Sequence, residues 1–128
     1  MNKNLLIKMA KEASQNAYAP FSGFKVGAAL LTKSGRIFTG CNVENSSYGL
    51  SNCAERTAVF KAVSEGETEF VEIVIFADSD KIFSPCGACR QVLSEFSSDL
   101  KITIISNKET IETTITELLP LKFTLHKN

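Results

Sequence analysis

The chain is 128 residues long, 44% hydrophobic and 22% charged, and its 14 Lys plus Arg are matched by 14 Asp plus Glu. That length and balance suit one domain over residues 1–128. Without a basic excess or stripe they argue against a nucleic-acid partner and for a small uncharged ligand. No apolar run approaches the roughly 20 residues that span a bilayer, and Met1-Asn2-Lys3-Asn4 leads into no secretory signal core, so a cytoplasmic protein with no membrane contact is expected. In that setting the four cysteines point to metal or redox chemistry before disulfides.

Leu5, Leu6, Met9, Ala10, Ala13 and Ala17 recur at helical spacing, predicting an amphipathic helix of about three turns closed off by Pro20. A small, apolar strand follows from Phe24 to Leu31, and Ser34-Gly35 turns it into a second strand from Arg36, a hairpin. In the second strand Ile37, Thr39, Cys41 and Val43 share one face. Phe38, Gly40, Asn42 and Glu44 share the other, so Asn42 and Glu44 point the same way if strand geometry persists. After a polar loop over residues 45–51, Ala54, Ala58, Phe60, Ala62 and Val63 predict a helix that is apolar nearly all round and ends at Gly66. The run from Phe70 to Ala77 is that of a central strand covered on both faces. Ser84 and Pro85 suit the N-cap and first residue of a third helix with Cys89, Val92, Leu93 and Phe96 inward. The strand from Leu100 to Ile105 is then parallel to its predecessor through a crossover. Thr110 to Thr113 adds an edge strand, and Thr114-Ile115-Thr116-Glu117 is a capping box for a short helix stopped by Pro120. The sum is an α/β fold, a three-layer α-β-α sandwich on a mixed five-stranded sheet.

Cys86-Gly87-Ala88-Cys89 alone is ambiguous, since such a pair holds zinc, cycles as a disulfide or packs. Cys53 and Glu55 bear on the choice. Cys53 falls at one helix start, Cys86 and Cys89 at another, and helix N-termini lower thiol pKa values and favour thiolate ligands. Three protein ligands leave a fourth tetrahedral position open for water, the arrangement of a catalytic zinc. Glu55, two residues from Cys53, can reach such a water and move its proton; its competing assignment is a capping box with Asn52. Three thiolates on one divalent ion sum to minus one, which the guanidinium of Arg56 can offset by donating to sulfur, against the alternative of an exposed salt-bridging arginine. Strand parity makes Cys41 core-facing and not a fourth ligand, and His126 has no assigned role.

Cys53-Ala54-Glu55 followed by Pro85-Cys86-Gly87-Ala88-Cys89 resembles the three-cysteine zinc deaminase signature. With Tyr18-Ala19-Pro20-Phe21-Ser22, Phe24-Lys25-Val26-Gly27-Ala28-Ala29 and Gly40-Cys41-Asn42-Val43-Glu44-Asn45, nearly the whole chain is similar to the small homotetrameric cytidine deaminases. The resemblance implies hydrolysis of cytidine or deoxycytidine to the uridine product and ammonia in pyrimidine salvage. It implies one zinc ion per subunit on Cys53, Cys86 and Cys89, a zinc-activated hydroxide attacking C4, and Glu55 as proton shuttle. It further implies that backbone near Ala54 and Cys86 reads the base edge, that Asn42 and Glu44 bind the ribose 3′-hydroxyl, and that Phe24 lines the site. Neighbouring subunits would complete it with Tyr48 and Phe123. Leu121-Lys122 stand before Phe123 where the family usually has a small residue after Leu-Leu-Pro, and a hydrophobic plug is the plainer role for that ring. The competing functions are deamination of an antibiotic nucleoside such as blasticidin S, and a zinc or thiol module without catalysis.

Overall fold

The computed structural model of the chain describes residues 3–97 and 99–125. In order come α1 (Lys3–Ser14), β1 (Val26–Thr32), β2 (Ile37–Cys41), a 3-10 turn (Tyr48–Leu50), α2 (Ala54–Ser64), β3 (Phe70–Ala77), α3 (Gly87–Glu95), β4 (Lys101–Ile105), β5 (Thr110–Thr114) and α4 (Ile115–Leu118). The strands form one five-stranded sheet in the order β2-β1-β3-β4-β5, with β3 and β4 parallel and the other pairs antiparallel. His126 lies outside the described residues. Among those residues no helix is long and apolar enough to cross a membrane.

Strand alternation divides the core in two. Ala28, Leu30, Phe38, Ile73, Ile75, Ile102 and Ile104 face one way and pack with Ala54, Ala58, Val59 and Ala62 of α2 and Leu93 of α3. Ala29, Leu31, Val74, Phe76 and Ile105 face the other way, against Leu6 and Ala10 of α1. The period of two thus builds the three layers, because each central strand has apolar side chains on both faces. Two glycines let helices approach the sheet closely. A Cβ on Gly27 would lie 2.0 Å from the Ala10 carbonyl oxygen, and one on Gly40 would lie 2.5 Å from the Ala58 nitrogen and 2.6 Å from the Ala54 oxygen.

Several expectations are corrected. Helix α3 starts at Gly87, not at Pro85: Cys86 is the N-cap, extended at φ −66° and ψ 168°, and its Sγ accepts from the Cys89 N–H at 3.4 Å. The thiol thus does the capping expected of Ser84. The Asn52–Glu55 capping box does not form, for Cys53 is the N-cap of α2 and the Asn52 amide donates to the Thr57 hydroxyl at 3.2 Å. Helix α2 is apolar on one side only, with Phe60 51% exposed. Helix α1 stops at Ser14, where its backbone meets Gly27, and the chain continues to Ala17 through tighter turns. Cys41 is half-buried rather than in the core, as its place on an edge strand allows.

Candidate active site

Strand β2 leads to the start of α2 and β3 to the start of α3, and the two helices pack side by side on one face of the sheet. Their N-termini converge at one edge, where a cavity opens beside Ile75 and Ala77 of β3. Cys53 caps α2, Cys86 caps α3, and Cys89 follows in the first turn of α3. Their three sulfurs lie within 4.8 Å of one another, with 3.3 Å between Cys86 and Cys89 and 3.9 Å between Cys53 and Cys86. A disulfide needs about 2.05 Å, and all four cysteines are free. Thiolates held tetrahedrally at about 2.3 Å from zinc stand roughly 3.8 Å apart, so this trio fits that ion closely. Among the described residues Cys41 stands outside the trio.

The electrostatics favour a thiolate at Cys53. Donation from Cys89, then from Arg56, holds the Cys53 thiol down to about 5, and the same hydrogen bond, followed by burial, pushes Cys89 up. Arg56 Nη2 lies 3.4 Å from Cys53 Sγ, and its buried Nε has no hydrogen-bond partner. A cation in that position offsets the surplus negative charge of three thiolates. Glu55 is 5% exposed. Burial pushes its carboxyl up to about 7, partly opposed by its own backbone N–H and reinforced by the charge on Cys53.

Cys53, Ala54, Glu55 and Cys86 form the floor of the cavity, whose volume is about 330 Å³. Ser22, Asn42 and Glu44 supply a polar wall, and Tyr48, 77% exposed, stands at the rim of the cavity in its own chain. Phe24 and Phe83 make an aromatic wall, with ring centroids 4.6 Å apart and planes tilted by 54°. Although β2 ends at Cys41, the backbone stays extended through bridges from Val43 to Tyr18 and Asn52, and Asn42 and Glu44 share the cavity. The Asn42 amide accepts from Val26 N at 2.9 Å and donates to the Phe24 carbonyl at 2.7 Å. Glu44 accepts from Phe21 N, Ser22 N and the Ser22 hydroxyl, and that hydroxyl holds its carboxyl below the usual range. Phe123 lies apart from this cavity, 68% exposed, and its carbonyl accepts from Gln91 Nε2 at 3.1 Å.

Residues 1–105 match the family described as the cytidine and deoxycytidylate deaminase zinc-binding region. The chain belongs to that family. It is 51% identical to a cytidine deaminase of Halalkalibacterium halodurans over 126 residues, 97% of this chain and 96% of that one. The crystal structure of a cytidine deaminase from Burkholderia pseudomallei superposes with a TM-score of 0.91 at 46% identity, covering 96% of this chain and 100% of the other. A blasticidin-S deaminase of Bacillus cereus is 38% identical over 107 residues, 77% of this chain and 76% of its own. The zinc fit of the three sulfurs is therefore a family feature and not a chance cluster.

Sequence reasoning missed three contributors to this family site. Ser22 and Phe83 line the cavity. Arg90 clamps the loop before Cys86, its Nε donating to the Pro85 carbonyl at 2.8 Å and its Nη2 to the Ser84 hydroxyl at 2.6 Å. A signal for Arg90 was present: it stands one helical turn beyond Cys86 and next to Cys89.

Proposed function

We propose that this chain hydrolyses cytidine and deoxycytidine to uridine or deoxyuridine with release of ammonia. The observation that carries the proposal is a single buried carboxyl, Glu55, on the floor of a cavity whose other floor groups include the thiols of Cys53 and Cys86. Cys53, Cys86 and Cys89 would hold zinc, which would supply the Lewis acidity that makes a water nucleophilic enough for attack at C4. Glu55, poised near neutrality, takes up a proton, delivers it to N3 of the pyrimidine and passes a second to the departing amine. The proton count closes, since one water supplies the carbonyl oxygen and two protons, of which one stays on N3 of the product and the other leaves in ammonia.

Asn42 and Glu44 then bind the ribose 3′-hydroxyl. A carboxylate offers about four acceptor sites; three of Glu44's are occupied by Phe21 and Ser22, which leaves one for a substrate hydroxyl. Asn42 keeps one donor and one acceptor site beyond its two backbone bonds. A carboxylate on the 3′-hydroxyl repels a 3′-phosphate, so a free nucleoside suits this wall better than a polynucleotide. Phe24 packs against the substrate, and backbone near Ala54 and Cys86 meets the base edge.

A homotetramer completes the site, with Phe123 entering from a neighbouring subunit and Tyr48 at the junction. The exposure of Tyr48, Leu50, Phe60 and Phe123 supports that arrangement. The same reading places the enzyme in the cytoplasm, where free nucleosides are recovered.

The test pairs Glu55→Gln with wild-type protein on cytidine, deoxycytidine and blasticidin S, following loss of cytidine absorbance and zinc per subunit. The variant is expected to keep zinc and lose at least roughly 10² to 10⁴ in turnover. No wild-type activity on the first two substrates would sink the proposal, and near-normal deamination by the variant would reject the role of Glu55.

A further inference from the structure

The first residues of α3 carry Cys86 and Cys89, and the next two side chains, Arg90 and Gln91, turn to other parts of the chain. Arg90 is half-buried and uses all three guanidinium nitrogens on neutral oxygens. Nε donates to Pro85 O at 2.8 Å, Nη2 to Ser84 Oγ at 2.6 Å and Nη1 to Leu118 O at 2.8 Å. No ion pair to Arg90 occurs among the described residues. A half-buried guanidinium with no carboxylate partner is held by its geometry. Its planar fork reaches three acceptors that a single ammonium cannot match.

Two of those acceptors belong to the loop that delivers Cys86, whose flanking Ser84 and Pro85 line the cavity. The third is the carbonyl of Leu118, at the end of α4. Neighbouring bonds join the same two regions: Gln91 donates to the Phe123 carbonyl at 3.1 Å, and Lys122 Nζ to the Ser94 carbonyl at 3.0 Å. The start of α3, the loop before it and the C-terminal segment are thereby fastened together, and Arg90 alone of these residues bonds to both the loop and the C-terminal segment.

We propose that Arg90 is a positioning residue that sets Cys86 in register with Cys53 and Cys89 and couples that register to the C-terminal segment from α4 to Phe123. The inference rests on the zinc reading above and not on which nucleoside is turned over. It acts through backbone. With the Pro85 carbonyl and Ser84 hydroxyl fixed, Cys86 is confined before a metal arrives, and the Leu118 bond makes α4 report on whether that loop is ordered.

Zinc-loaded wild type, Arg90→Met, Arg90→Lys and Leu6→Ala are compared by the rate of zinc transfer to a chromophoric chelator, under conditions where each is folded by circular dichroism. Leu6→Ala loosens the core beneath α1, on the opposite face of the sheet, and controls for general loss of stability. Arg90→Met is expected to release zinc ten- to a hundredfold faster, the range for losing a group that orients a metal ligand. Arg90→Lys should fall between it and wild type, and Leu6→Ala should match wild type. Hydrogen exchange at the amides of Glu117 and Leu119, both bonded within α4, should accelerate on zinc removal in wild type and be fast with or without zinc in Arg90→Met. Transfer within twofold of wild type in Arg90→Met, equal acceleration in Leu6→Ala, or α4 amides indifferent to zinc in wild type overturns the proposal. If Arg90→Met does not fold, Arg90→Lys decides alone, and wild-type transfer by it is the overturning result. A wild-type protein that takes up no zinc overturns the proposed function; zinc held equally by wild type and both Arg90 variants overturns only the role of Arg90.

Discussion

Gly40→Ala probes how the sheet sets the position of the thiolate cluster. The added methyl would lie 2.5 Å from Ala58 N, 2.6 Å from Ala54 O and 2.9 Å from Thr57 Cβ, against an ordinary contact distance beginning at 3.4 Å. The shortfall of about 0.9 Å is against helix backbone, which cannot rotate away as a side chain does, so α2 must shift bodily off the sheet. Overpacking of this kind costs about 1–3 kcal/mol of stability. The functional effect should be larger, because the displaced turn carries Cys53, Ala54 and Glu55 while Cys86 and Cys89 stay with α3. A misplacement of about 1 Å between reacting groups can cost on the order of 10²-fold. Thermal unfolding, zinc content and cytidine turnover of the purified variant provide the assay. The expected result is a modestly lowered Tm, weakened zinc retention and turnover reduced far beyond the change in folded fraction. Wild-type zinc retention and turnover in a folded Gly40→Ala protein would refute the claim that this glycine sets the approach of α2.

Arg56→Ala removes the cation beside Cys53 and should weaken zinc retention by roughly 10- to 100-fold in a chelator competition; unchanged zinc content and activity would return Arg56 to an ordinary structural arginine. Phe24→Ala strips the aromatic wall of one ring and its contact with Phe83, so KM for cytidine should rise, by about 2- to 10-fold for an aromatic contact of roughly 0.5–1.5 kcal/mol, with zinc content unchanged. Ser22→Ala removes a hydroxyl that stabilises the charged form of Glu44, so the Glu44 titration followed by NMR should move upward toward the usual 4.5. The sign follows from linkage: a depressed carboxyl pKa stabilises the loop above pH 4.5 and loses that effect as the pH falls through the folded value. Chelation of zinc should open Cys53, Cys86 and Cys89 to alkylation while leaving Cys41 labelling unchanged, read by peptide mass, and thiols equally reactive with and without zinc would contradict their ligation.

Apolar patterning carried most of the fold because its consequences are local. The alternation of Ala28 to Leu31 and Ile73 to Phe76 could be assigned to two faces without knowing the partners, since each face of a central strand must be covered. The thiol spacing was legible for a similar reason: two helix starts carrying ligands can serve one ion only if they meet, and the sheet makes them meet. What the sequence could not reveal lies where two assignments have nearly equal local energy. Ser84-Pro85 is a sound helix start by propensity, yet the Cys86 sulfur accepts the Cys89 N–H and moves the boundary by two residues. Asn52-x-x-Glu55 is a sound capping box, yet the cavity keeps Glu55 buried and the Asn52 amide turns to Thr57. Phe60 carries the apolar pattern of α2 onto a face that the described residues leave half-covered.

At both of these helix starts the arrangement that forms differs from the strongest local preference, and at both it serves the sulfur cluster. Sites of chemistry are where local preference and global structure are expected to part. A sulfur that caps its helix through the Cys89 amide already has its direction fixed, and a glutamate withheld from capping is free to carry protons. The two departures from the expected capping therefore share one physical origin with the site: at α3 the cap itself orients the Cys86 sulfur, and at α2 the Glu55 carboxyl is left out of the cap.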